Sequence, residues 1–147
     1  MKEARGNLWD YTADATVITT NGSVRKDGNA VMGRGCALEA AQRYPDIPVR
    51  LGRWLKQFGN HAYVVKYDAD EGVRVVTFPV KHRWNERADL DLIERSVTQL
   101  IELADQFHWK DVVMPRPGCG NGGLEWEDVQ PRIEPMLDDR FMVVTFR

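Results

Sequence analysis

Twice in this chain a continuous apolar segment runs into a glycine-dense loop, and each loop leads into helical periodicity. The first unit is Ala15-Thr16-Val17-Ile18-Thr19-Thr20, then Lys26-Asp27-Gly28-Asn29-Ala30-Val31-Met32-Gly33-Arg34-Gly35, then a helical pattern over residues 36–44. The second is Val112-Val113-Met114-Pro115, then Arg116-Pro117-Gly118-Cys119-Gly120-Asn121-Gly122-Gly123-Leu124-Glu125-Trp126, opening a helix. Short uninterrupted apolar runs suit strands covered on both faces. Glycines let the main chain turn with positive φ and let a ligand approach it closely. Unpaired amides at a helix start favour an anion. Either loop alone is a weak signal that an ordinary tight turn also explains. Together they predict a cleft with a loop on each side, suited to a phosphate or diphosphate.

The remaining pattern predicts strands at residues 8–11, 15–20, 62–67, 73–78, 112–114 and 141–146, and helices at 35–44, 49–58, 89–107 and 126–137. In the third helix Leu90, Ile93, Val97, Leu100, Ile101, Ala104 and Phe107 recur at three- and four-residue steps, giving one apolar face that Asp89 can cap. The polar loop Asp68-Ala69-Asp70-Glu71-Gly72 between two strand candidates reads as a hairpin turn. Pro131 fits the early turns of the last helix, whereas Pro135 should bend or shorten it. Strands alternating with helices, plus one hairpin, define an α/β sandwich around a central mixed sheet. Ligands of such sheets bind beyond the carboxyl ends of strands. Both glycine loops fall there, as does Lys81 after Phe78-Pro79-Val80.

At 147 residues the chain is expected to form one domain spanning 1–147, and it has no repeat or linker. Its 20 basic and 22 acidic residues nearly cancel, so bulk charge makes no case for non-specific nucleic-acid binding, though a local basic patch is compatible with it. The two cysteines, Cys36 and Cys119, and the short charged start without a secretory pattern predict a reduced, cytoplasmic protein. No apolar run approaches the ~20 residues that span a bilayer. The histidines His61, His82 and His108 lack metal-ligand spacing, so no metal and no cofactor are expected.

Three segments resemble the macrodomain family, the module that binds ADP-ribose: Asp14 through Asn21 followed by Ala30 through Ala37; Phe78-Pro79-Val80-Lys81-His82-Arg83-Trp84; and Gly118 through Trp126. The likeness is greatest to the branch containing bacterial DNA ADP-ribosyl glycohydrolase antitoxins and terminal ADP-ribose protein glycohydrolases. It implies a three-layer α/β/α sandwich with a central mixed six-stranded sheet. It also implies a monomer that binds ADP-ribose or an ADP-ribosylated macromolecule and hydrolyses the link between them. Ligand contacts are then expected at Asn7, Leu8 and Asn21, and at Val31, Met32, Gly33, Arg34 and Gly35 of the first loop. Further contacts are expected at Pro117, Gly118, Cys119, Gly120, Asn121, Gly122, Gly123 and Leu124 of the second, and at Phe146. Lys81 matches the lysine that the antitoxin-like hydrolases are thought to use. The chain departs from the family twice. Gly6-Asn7-Leu8 stands where many macrodomains carry an adenine-binding aspartate, leaving Asn7 or Asp10 for that role. Gly122 stands near the position of the second-loop aspartate of protein-directed glycohydrolases, so the antitoxin-like pattern fits better.

A neutral lysine amine is a nucleophile, a charged one an electrostatic contact, and most lysines are merely solvated. All three uses are open to Lys81 on its residue type. His82 suits a general acid or base, or a structural hydrogen bond. The run Lys81-His82-Arg83-Trp84-Asn85-Glu86-Arg87 interleaves base and aromatic. It can hold single-stranded nucleic acid, with Trp84 stacking a base, or form a solvated loop. Phe146 can stack on adenine or pack in the core. Free binding of ADP-ribose without turnover, and phosphatase action on ADP-ribose 1″-phosphate, are the alternatives to the glycohydrolase.

Overall fold

The two apolar segments that run into the glycine loops lie side by side in one sheet. In the computed structural model, which describes residues 1–146, they are β2 (Ala15–Asn21) and β5 (Val112–Pro115). They pair in parallel, with Ala15 opposite Val112. The other strands are β1 (Lys2–Arg5), β3 (Val64–Asp68), β4 (Val73–Lys81) and β6 (Phe141–Thr145). The sheet order is β1-β6-β5-β2-β4-β3. All neighbours are parallel except the β3–β4 hairpin, as the polar loop predicts. Five strands therefore deliver their carboxyl ends to one edge of the sheet.

The helices are α1 (Gly35–Arg43), α2 (Asp46–Phe58), α3 (Leu90–Phe107) and α4 (Trp126–Ile133). Alternation along the strands feeds two cores, one on each face. Val17, Val76 and Phe78 pack with Ile93, Val97 and Leu100 of α3 and Val129 and Ile133 of α4. Ile18, Val65 and Val75 pack with Ala37 and Ala40 of α1 and Ile47, Leu51 and Leu55 of α2. Phe78 is fully buried, and burying a side chain of that size contributes about 1.5–3 kcal/mol. The buried Ser96 Oγ donates to the Pro79 carbonyl at 2.6 Å, fixing α3 against the last residues of β4. The result is the expected three-layer sandwich around a mixed six-stranded sheet.

Several local expectations require correction. Residues 8–11 are not a strand: Leu8–Asp10 form a 3₁₀ turn that Asn7 caps, its Oδ1 accepting from the Trp9 amide at 3.0 Å. Only Leu8 of that turn is buried, so no alternating apolar face supports a ladder. The sixth strand is β1, whose residues pair with β6 from Lys2 opposite Met142 to Arg5 opposite Thr145. Helix α2 begins at Asp46 rather than residue 49. Pro48 sits in its first turn, where an amide has no intrahelical partner to lose. Strand β3 starts at Val64, and β4 runs on to Lys81. Helix α4 ends at Ile133, and Pro135 lies in a following 3₁₀ turn, Glu134–Met136, consistent with its predicted shortening.

Candidate functional site

A cleft of about 1550 Å³ opens over the carboxyl ends of the parallel strands. Its walls are the two glycine loops, and the segment 81–88 ties them together. The first loop is a tight hairpin: Arg25 N donates to Asn29 O at 2.8 Å and Gly28 N to Arg25 O at 3.0 Å. Two anchors hold it. Ala30 N donates to Pro48 O of α2 at 2.9 Å, and Asn21 Nδ2 donates to Val31 O at 3.1 Å while its Oδ1 accepts from Ser23 N at 2.9 Å. The loop then enters α1, whose N-cap residue Arg34 makes no side-chain cap bond. The amides of that first turn therefore have no side-chain acceptor and suit an anion.

The second loop closes on itself, with Leu124 N donating to Gly118 O at 3.0 Å and Gly123 N to Gly120 O at 3.1 Å. Gly118 has φ +77°, and a Cβ there would sit 2.7 Å from Ile93 Cδ1, so only glycine meets both demands. A Cβ on Gly35 would stand 3.5 Å from Asn121 Nδ2, which shows how closely the two loops approach.

Segment 81–88 bridges them. Trp84 N donates to Ser23 Oγ at 3.0 Å on the first side. On the second, Ala88 N donates to Gly122 O at 2.9 Å and Arg87 Nη2 to Gly123 O at 3.0 Å. Lys81 enters the cleft from the end of β4. Its Nζ donates to Trp84 O at 3.4 Å, and its carbonyl accepts from Asn60 Nδ2 at 3.0 Å.

Of the residues expected at a site, Asn7, Leu8, Asn21, Val31, Met32, Gly33, Arg34, Gly35, Lys81, Gly118, Cys119, Gly120, Asn121, Gly122, Gly123 and Phe146 all line this cleft. The fold does not bring His82, Pro117, Leu124 or Asp10 to its wall. His82 turns instead to Asp89, with Nε2 and Oδ2 2.8 Å apart. That hydrogen bond, aided by the Asp91 and Leu92 amides, holds the Asp89 carboxyl below the usual carboxylate range. Pro117 is buried, Leu124 packs against the α3 core and Asp10 faces solvent. Burial pushes the Cys36 thiol up, against two contacts with Thr19, and pushes the Cys119 thiol up against the field of Arg116. Neither is an activated nucleophile.

Cleft residues beyond the expected ligand contacts include Arg25, Glu39, Glu86, Arg87 and Arg116. Arg87 lies in the motif run already noted, but nothing local indicates that it reaches Gly123. The lining carries five cations, Arg25, Arg34, Lys81, Arg87 and Arg116, against two carboxylates, Glu39 and Glu86. A chain of net charge −2 thus concentrates positive charge where its loop amides converge.

A sandwich of this topology, with two glycine loops meeting over the strand ends, defines the class: an α/β/α anion-cleft domain. Comparison with known proteins specifies it. The family model described as Macro domain matches residues 27–133. A DNA ADP-ribosyl glycohydrolase of Mycobacterium tuberculosis is 32% identical over 132 residues, covering 87% of this chain and 36% of that protein. Among solved structures, the macrodomain of Mycobacterium tuberculosis DarG superposes with a TM-score of 0.80 at 28% identity, covering 95% of this chain and 93% of that one. Thermosipho africanus DarTG in complex with ADP-ribose superposes with a TM-score of 0.79 at 21% identity, covering 95% of this chain and 39% of that one, and testifies to the fold. The chain belongs to the Macro domain family. It spans about a third of the length of the curated relatives it matches.

Proposed function

We propose that this chain binds ADP-ribose and hydrolyses the bond joining it to DNA, with Lys81 as the reacting amine. One observation carries the chemistry: Lys81 is the one lysine lining the cleft among the described residues, and it stands between the two loops whose amides suit a diphosphate. The activity for which the relatives are named, DNA ADP-ribosyl glycohydrolase, supports DNA as the acceptor, and the ADP-ribose in the Thermosipho complex supports the ligand. The diphosphate takes the amides of the first turn of α1 and of the second loop. Asn7, Leu8 and Phe146 receive the adenosine end, and Asn21 and Lys81 the distal ribose. The basic, Trp84-bearing turn beside Lys81 receives single-stranded DNA. A reduced, cytoplasmic setting belongs to the same proposal, and the two free thiols support it.

In this scheme the unprotonated Lys81 amine attacks the anomeric carbon of the distal ribose. The bond to the acceptor breaks, its electron pair leaves with the acceptor, and the acceptor gains a proton. The bond from the anomeric carbon to the ring oxygen then breaks, opening the ribose and leaving an imine on lysine; water hydrolyses the imine, and the ring recloses to give ADP-ribose and the free amine. The positive rim favours a substrate with several phosphates.

The test is a parallel incubation of ADP-ribosylated DNA and ADP-ribosylated protein, with calorimetry of free ADP-ribose. Wild-type protein is expected to take up ADP-ribose and release it from DNA. Lys81→Ala is expected to bind the ligand but release none. Binding without release by the wild type would make the chain a reader, and no uptake at millimolar ADP-ribose would end the proposal.

A further inference from the structure

Four of the five tryptophans are pinned by neighbours. Trp9 lies under Arg43, with its Nε1 on Glu39, and Trp54 meets Tyr63 edge-on. Trp109 stacks on Phe107, and Trp126 lies under Arg116, with its Nε1 on Glu3. Trp84 is the exception. Its indole makes no aromatic pair, cation–π contact or side-chain hydrogen bond among the described residues, and it is 56% exposed on the wall of the cleft. Its backbone, by contrast, is held on both sides. The amide donates to Ser23 Oγ at 3.0 Å, the carbonyl accepts from Lys81 Nζ at 3.4 Å, and Glu86 N closes the turn on Arg83 O at 3.2 Å. An ordered turn therefore presents an unpacked aromatic face beside the cleft lysine. An unpacked indole carried on a held backbone leaves its flat apolar face to water unless a partner covers it.

We infer that the Trp84 indole is the stacking platform for the nucleobase that carries the ADP-ribose, and so the residue that selects base-linked over protein-linked substrates. This rests on the function proposed above. The occupant follows from the surroundings. A base has a π-face of matching size, and stacking on an aromatic side chain tolerates any base. The phosphates that flank such a base need cations. Arg83, adjacent and exposed, forms no ion pair among the described residues, and Arg87 and Arg25 line the same rim. A peptide acceptor carries no regular row of phosphates and offers a flat partner only where an aromatic residue happens to lie. The turn is also bonded to both glycine loops through Ser23, Gly122 and Gly123, so a base on Trp84 and a diphosphate in the cleft are held by one connected frame.

The experiment uses the whole chain and a single-stranded oligonucleotide bearing one ADP-ribose on a base. Trp84→Ala is expected to lower kcat/KM on this substrate by about 5- to 150-fold, the scale of losing one base–aromatic stack. Trp84→Phe is expected to recover most of that loss, and the Kd for free ADP-ribose to stay within about 3-fold in both, a shift well below one stack. The unmodified oligonucleotide is expected to quench the intrinsic fluorescence of wild type and to quench Trp84→Phe much less. Equal kcat/KM in wild type and Trp84→Ala overturns the inference. So does an equal loss on an ADP-ribosylated peptide, which would assign the indole to protein acceptors, or a parallel loss of ADP-ribose affinity, which would make it a wall of the cleft. If wild type takes up no ADP-ribose, the proposed function falls. The quenching titration still decides whether Trp84 meets a base.

Discussion

Asn21 and Lys81 stand opposite one another as Cα partners on adjacent parallel strands, and the register shifts by one residue to bring them there. Below them Thr20 faces Pro79; without the shift Asn21 would face Val80. Instead Val80 is buried in the α3 core and Lys81 takes the position beside Asn21. Asn21 spends both ends of its amide holding the first glycine loop. The same pair of strand ends therefore fixes both the first glycine loop and the cleft lysine, the two parts that the proposed function assigns to phosphate and sugar.

If Lys81 reacts as a free amine, charge alone cannot replace it. Arginine keeps the positive charge but does not deprotonate in proteins. Lys81→Arg is thus expected to bind ADP-ribose with little change and to lose turnover by on the order of 10²-fold or more, the scale of removing a positioned reacting group. Single-turnover release from ADP-ribosylated DNA measures this. An arginine variant that works at near wild-type rate would make the lysine an electrostatic contact.

Gly33 separates ligand binding from stability. A Cβ there meets nothing within 4 Å, and its φ lies outside the left-handed range. The fold does not need glycine at this position, but a ligand lying on the main chain does. Gly33→Val is expected to leave unfolding within about 0.5 kcal/mol, as for a surface change. It should weaken ADP-ribose by at least ~10-fold, about 1.4 kcal/mol. Calorimetry beside a urea titration reads both, and an unaffected Kd would place the ligand elsewhere.

Gly52 makes the opposite case. It lies inside α2, where alanine ordinarily gains about 0.8–1.0 kcal/mol. Here a Cβ would come within 2.0 Å of Gly28 O and 2.8 Å of Ala30 N, both backbone atoms of the first loop. Overpacking of this kind costs roughly 1–3 kcal/mol, and because neither neighbour is a movable side chain the upper end applies. Gly52→Ala is expected to lower stability by about 1–2 kcal/mol net and to weaken ADP-ribose through the displaced loop. A stabilised variant in chemical denaturation would show that the loop yields freely.

Asp89 caps α3 through the amides of Asp91 and Leu92 and bonds His82. Removing the cap with Asp89→Ala is expected to cost about 0.5–2 kcal/mol, while Asp89→Asn keeps a capping oxygen and removes only the charge. Since the folded carboxyl titrates below its unfolded counterpart, its contribution is complete above about pH 3.9, the unfolded value, and disappears as pH falls through the folded one. The stability gap between wild type and Asp89→Asn should therefore close as pH falls below about 4. Urea midpoints across that range would contradict this if the gap widened in acid.

The sheet, the hairpin, the α3 face and both glycine loops were legible because each rests on a local pattern: apolar runs, a polar turn or a three-to-four periodicity. Strand β1 was not. Lys2, Glu3 and Arg5 are exposed and only Ala4 is half-buried, so its existence depends on β6, more than a hundred residues away. Residues 8–11 read as a strand from sequence although Leu8–Asp10 form a turn capped by Asn7. An apolar pair, Leu8-Trp9, outweighed a cap that only geometry confirms. At the cleft the loop residues were readable from their glycines, but the link from Arg87 to Gly123 and the shift that exchanges Val80 for Lys81 are products of tertiary packing and leave no trace in neighbouring residues.

Strand β1 also has a bearing on how the molecule meets its surroundings. With three of its four side chains charged and exposed, it finishes one border of the sheet with alternating positive and negative groups. An incoming extended segment would have to strip water from those charges to reach the free main-chain groups. The border is thereby guarded against the stray strand-on-strand growth that leads to aggregation, by side chains that contribute almost nothing to the interior.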